Sequence, residues 1–117
     1  MPEVTVDDDQ LQISLNHREH LLTLTSTFEV PLSAIADAKV FEEGQHLPWW
    51  RVGTHFPGVF RAGRFRGDGL RYFIFHRAGR PAVDITLVDQ RFDRLIVDVA
   101  DPDALVSELR THEGPAR

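Results

Sequence analysis

A mainly β fold is predicted, with about seven antiparallel strands in two bent sheets forming a barrel that one C-terminal α-helix caps. Three observations predict it. Apolar residues recur with period two along most of the chain, polar or Gly/Pro-containing breaks interrupt them at short intervals, and a helix start signal followed by helical spacing occurs convincingly only after residue 100.

Residues 3–6 admit a short extra strand. Leu11, Ile13 and Leu15 alternate with Gln12, Ser14 and Asn16, which predicts a half-buried strand over 11–16. Asn16-His17-Arg18-Glu19 reads as a hairpin turn into a strand over 20–30. After Pro31, residues 33–36 suffice for one helical turn before a strand over 36–42. The stretch 44–58, with three glycines, two prolines and adjacent tryptophans, reads as the longest irregular segment.

Strands follow over 59–66, 70–76, 82–88 and 93–99, divided by Gly67-Asp68-Gly69, Ala78-Gly79-Arg80-Pro81 and Asp89-Gln90. Leu70-Arg71-Tyr72-Phe73-Ile74-Phe75 is apolar on both parities and reads as a central strand covered on both faces. Val83, Ile85 and Leu87, and then Leu95, Val97 and Val99, alternate with residues such as Asp84 and Asp98, and read as half-buried strands with one face in water. The order is a meander of hairpins with no room for βαβ crossovers. Asp101 is a good N-cap, Pro102 fits the first helical position, and Leu105, Val106 and Leu109 form an apolar stripe before Gly114-Pro115. A single domain over 1–112 with a short polar tail, 113–117, is expected.

At 117 residues the chain has the size of one domain. It has no cysteine, which excludes disulfides, thiolate metal sites and cysteine nucleophiles and suits a cytoplasmic protein. No signal peptide and no membrane-inserting run is expected, because charge interrupts every apolar stretch well short of 18 residues. The formal net charge of −5 is unevenly spread: residues 1–50 sum to −7, residues 51–80 to +6 and residues 81–117 to −4. A globally acidic field repels phosphate, so nucleic acid is not an expected partner, and any anion recognition is local.

Four segments in order carry a family resemblance: Val30-Pro31-Leu32-Ser33-Ala34-Ile35, Phe60-Arg61-Ala62-Gly63-Arg64-Phe65-Arg66, Arg80-Pro81-Ala82-Val83-Asp84-Ile85, and Val99-Ala100-Asp101-Pro102-Asp103-Ala104-Leu105. Together they resemble the bacterial pleckstrin-homology (PH-like) domain families over roughly residues 10–112. The resemblance implies a PH-like barrel that hosts binding or assembly more than chemistry. It does not imply phosphoinositide recognition, because the first hairpin turn, His17-Arg18-Glu19-His20, lacks the basic residues of the lipid-binding members.

The candidate site is the arginine-rich middle with its tryptophans: Trp49, Trp50, Arg51, Arg61, Arg64, Arg66 and Arg71. Arg64 and Arg66 share strand parity and would project from one face with Phe65 on the other, a pairing that can grip a phosphate or carboxylate. Trp with Arg is the pairing enriched at interface hot spots. No catalytic motif is present: Ser14, Ser26, Ser33 and Ser107 lie in no nucleophile elbow, and His17-Arg18-Glu19-His20 has the wrong order for a zinc helix. No metal and no cofactor is expected. The leading reading is a non-enzymatic interaction or assembly domain that binds itself or another protein. The alternatives are an anion- or acidic-ligand-binding module using the strip 51–71, and an enzyme using His55 or His76 beside an arginine.

Overall fold

The computed structural model describes residues 2–23, 25–42, 50–56, 60–67 and 69–113, with residues 50–56 and 112–113 described by their backbone. Nine strands form two sheets. A three-stranded antiparallel sheet holds β1 (Glu3–Val6), β2 (Gln10–Ser14) and β3 (Phe28–Pro31) in that order. A six-stranded sheet holds β4 (Ile35–Val40), β5 (Trp50–Phe56), β6 (Phe60–Gly67), β7 (Leu70–Arg77), β8 (Ala82–Leu87) and β9 (Arg94–Asp98) in the order β4-β8-β9-β7-β6-β5. The described strands close no barrel, so the prediction holds as a mainly β, two-sheet fold with a C-terminal helix.

Three expectations need correction. The first concerns residues 20–30, whose first part is helical: α1 (His17–Thr23) precedes β3. Its start is a capping box. The Glu19 amide donates to Asn16 Oδ1 at 2.9 Å, and the Asn16 amide donates to Glu19 Oε1 at 3.0 Å. Local side-chain bonding ends the helix, with Thr23 Oγ1 donating to the Glu19 carbonyl and accepting from the Thr25 amide. Asn16→Ala removes the cap and is expected to cost about 1 kcal/mol, read as a lowered denaturation midpoint at unchanged slope.

The second correction concerns 44–58, which is not wholly irregular. Trp50–Phe56 is β5, paired antiparallel with β6 in unbroken register from Trp50↔Arg66 to Phe56↔Phe60. The apolar or β-branched residues Trp50, Val52, Thr54 and Phe56 alternate with Arg51, Gly53 and His55, a period of two that the flanking glycines and prolines obscure.

The third concerns the meander. β9 pairs antiparallel with β8 but parallel with β7. The chain leaves β7 through a turn at Gly79, whose φ of 81° suits glycine, and skips one strand position to form β8. It reverses again near Asp89 at φ 56°, and β9 fills the vacant position. The parallel neighbour therefore needs no crossover helix, because β8 and its turns supply the connection.

α2 (Pro102–Glu113) starts as expected: the Ala104 amide donates to Asp101 Oδ1 at 3.1 Å. It buries Val106 and Leu109 against β4 and β8 instead of closing a barrel end, and Arg110 Nε donates to the Ala38 carbonyl at 3.1 Å. One turn of 3-10 helix, Leu32–Ala34, joins the two sheets. No helix among the described residues is long and apolar enough to cross a membrane.

Strand alternation gives the large sheet two different faces. The first face carries Phe60, Ala62, Phe73, Phe75, Val83, Ile85, Leu95 and Val97, and with Leu11, Ile13 and Val30 of the small sheet it makes the main core. The second face carries Phe65, Tyr72, Ile74, Ala82 and Ile96, with Phe41 packed on them. β7 is buried on both faces, as expected of a central strand.

Candidate functional site

The faces divide the arginine strip. Arg64 and Arg66 do share parity, with Phe65 opposite, but their row belongs to the first face. Arg61 lies on the second face, its guanidinium 5.9 Å from the Phe65 ring centroid, and burial lowers its pKa. Arg51 occupies the register position of Phe65 and so belongs to the second-face row of β5. Trp50 sits opposite Arg66 in register, and Trp49 lies outside the described residues. The predicted residues therefore do not form one strip.

Arg71 has a structural commitment. Its amide donates to Asp93 Oδ2 at 2.7 Å, its Nε to the same oxygen at 3.2 Å, and its Nη2 to the Gln90 carbonyl at 2.8 Å. These bonds from the Arg71 side chain and backbone hold the Asp93 carboxyl below the usual carboxylate range. They pin the turn before β9 to the start of β7. Arg64 differs: it is half-buried, and its Nε, shielded from solvent, has no hydrogen-bond partner among the described residues. Arg66 is exposed at the position opposite Arg71.

The second face holds charged groups where sequence alternation predicted water. Asp84 and Asp98 are buried, at 1% and 4% exposure, so β8 and β9 are covered on both faces. Each acid has a built partner. Asp84 receives Arg94, whose Nε donates at 3.0 Å and whose Nη2 closes the second arm of a bidentate pair. Burial opposes the charge on Arg94, but the hydrogen bonds and charge of Asp84 outweigh it, with Tyr72 adding, and its pKa is raised. The guanidinium also lies 5.4 Å from the Tyr72 ring centroid. Asp98 Oδ1 lies 2.6 Å from His76 Nδ1, while Oδ2 accepts the Arg77 amide at 2.9 Å. The Phe41 ring packs against the His76 imidazole at 4.8 Å.

Sequence reasoning missed this array, although a signal existed. Asp84 and Asp98 stand mid-strand or at a strand end among β-branched neighbours, and Ile74 and Ile96 make the same face apolar; an acid on such a face must find a cation. Chemically, Asp98 orients the imidazole, as an acid does in a base-activating dyad. The arrangement locks strand register: His76 fixes β7 to β9, and Arg94 fixes β9 to β8.

His17 and His20, expected in a turn, lie on α1. No group of three or more acid or histidine side chains among the described residues is placed to hold a metal ion. Protein-family models, curated proteins and solved structures were compared with the chain, and none matches.

Proposed function

We propose that this chain is a non-enzymatic interaction domain of the bacterial PH-like type that associates with itself. The observation that carries the reading is β5. It forms one border of the large sheet and is seven residues long. Among the described residues its outer edge pairs with no strand. Natural edge strands are blunted by proline, bulges, extreme shortness, charge or a covering helix; β5 runs in unbroken register with no proline or bulge between its ends, and α1 packs against it and β6. The opposite border, β4, is guarded by α2 through the Arg110 bond to the Ala38 carbonyl. The family part of the reading is supported by where its four segments fall: the lead-in to β4, the body of β6, the start of β8 and the cap of α2. The parallel β7–β9 pair is a departure from a pure meander.

Sedimentation velocity at tens of micromolar tests self-association. Concentration-dependent association in low salt that weakens in high salt is expected, and a monomer under both conditions sinks the reading.

A second reading, an anion- or acidic-ligand-binding module, is favoured by Arg64, whose buried Nε lacks a partner among the described residues and stands beside the exposed Arg66. A ligand that binds only the native state raises its melting temperature. Inorganic phosphate or an acidic peptide is expected to do so here, with the rise lost in Arg64→Ala/Arg66→Ala. No rise with either probe removes the idea.

A further inference from the structure

We propose that α1 is an autoinhibitory latch on the anion site of Arg64 and Arg66, its Glu19 carboxylate competing with a bound oxyanion for the Arg64 guanidinium. This rests on the anion-binding reading and names how that site is regulated.

The fold brings an acid and a base together beneath α1. Glu19, Leu22 and Thr23 recur at the spacing of one helix face. That face turns inward: Glu19 is 4% exposed, Thr23 is fully buried, and Leu22 packs against the main core. The main core includes the first face of the large sheet, and α1 packs against β5 and β6. The segment is also anchored at both ends. The Leu15 amide donates to Thr27 Oγ1 at 2.9 Å, and the Phe28 ring meets Phe73, whose register partner on β6 is Arg64. The helix therefore enters the large sheet at the row in which Arg64 stands.

A buried carboxylate is costly unless a cation offsets it. The first-face row of β5, Trp50, Val52, Thr54 and Phe56, holds no base; that of β6 holds Phe60, Ala62, Arg64 and Arg66. Arg66 is exposed, so Arg64 is the base placed to offset Glu19. The carboxylate is meanwhile tied to its own helix, Oε1 accepting the Asn16 amide, while the Arg64 Nε donor, shielded from solvent, is unused among the described residues. An oxyanion that takes this donor together with Arg66 meets the Glu19 charge and repels it, so ligand binding and the docking of α1 oppose each other. Seven residues are too few for a helix to persist alone in water, so α1 loosens once that docking is lost.

Calorimetric titration with inorganic phosphate at fixed ionic strength tests the latch. Glu19→Gln removes the charge but keeps the capping box, in which glutamine serves as glutamate does, and is expected to bind phosphate about tenfold more tightly than wild type. Glu29→Gln makes the same charge change at an exposed position on β3 and is expected to leave the affinity near wild type. Glu19→Gln/Arg64→Ala is expected to lose the gain. Equal or weaker binding by Glu19→Gln overturns the latch while the anion-binding reading stands; so does an equal gain in Glu29→Gln, or a gain that survives the loss of Arg64. The wild type supplies a check that needs no variant. Saturating phosphate is expected to speed amide hydrogen exchange over residues 20–23, and unchanged or slower exchange there overturns the latch. If neither wild type nor Glu19→Gln binds phosphate, the anion-binding reading itself falls.

Discussion

Asp84→Ala is expected to destabilise the fold by about 3–5 kcal/mol, because it strands the Arg94 guanidinium beside a fully buried position. The value is expected near the lower end, since the Arg94 side chain keeps 19% exposure and can recover some hydration. For a domain of this size that is a fall in melting temperature of roughly 10–15 °C. The pair also makes a contrary prediction that separates electrostatic fit from packing. Asp84→Leu with Arg94→Met removes both charges and is expected to lie within about 1–2 kcal/mol of wild type, because the desolvation cost of both ions disappears with their attraction. Chemical denaturation of the single and double variants checks this. A double variant no better than Asp84→Ala would mean that the pair fixes β8–β9 register in a way apolar packing cannot replace.

The same residues show how far the sequence was legible. Period-two alternation located β2, β8 and β9, a run apolar on both parities located β7, the polar and Gly/Pro breaks bounded β4 and β6, and Asp101-Pro102 located α2, because these signals are local and unopposed. Alternation cannot say whether the polar face meets water. Asp84 and Asp98 have the spacing of a solvated face; Asp84 is met by Arg94 across the β8–β9 pair, and Asp98 by His76 only where β9 lies beside β7. That placement is a tertiary event with no local signature, so the parallel pair was not legible either. Two misses were readable. Asn16-His17-Arg18-Glu19 has the residues of a capping box, but the polar cluster looked like a turn. Trp50 to Phe56 alternates, but Gly53 and the nearby prolines masked it. In the candidate site, the shared parity of Arg64 and Arg66 was legible from spacing alone. The placement of Arg61 on the other face also follows from parity once β6 is known to run unbroken from Phe60 to Gly67. The Arg71–Asp93 bond joins residues 22 apart and needed the fold.

Phe73→Ala is the second large effect, expected to cost about 3–5 kcal/mol. Phe73 is fully buried on β7, and its ring joins a cluster of three: the centroids lie 5.1 Å from Phe28 and 5.6 Å from Phe92, with Phe28 and Phe92 5.5 Å apart. Phe28 belongs to β3, Phe92 to the turn before β9, and Phe73 to the centre of the large sheet, so these rings join the two sheets across the core. The near-perpendicular Phe28–Phe73 pair is an edge-to-face contact, contributing about 0.5–1.5 kcal/mol beyond area burial. Because the rings share partners, Phe28→Ala and Phe73→Ala are expected to be non-additive, the double variant losing about 0.5–2 kcal/mol less than the sum of the singles. Guanidinium denaturation of the four proteins completes the cycle. Strict additivity would mean that the small sheet is held by Leu11, Ile13 and Val30 independently of the aromatic cluster. Coupling would mean that the packing of the small sheet on the large one depends on these three rings together.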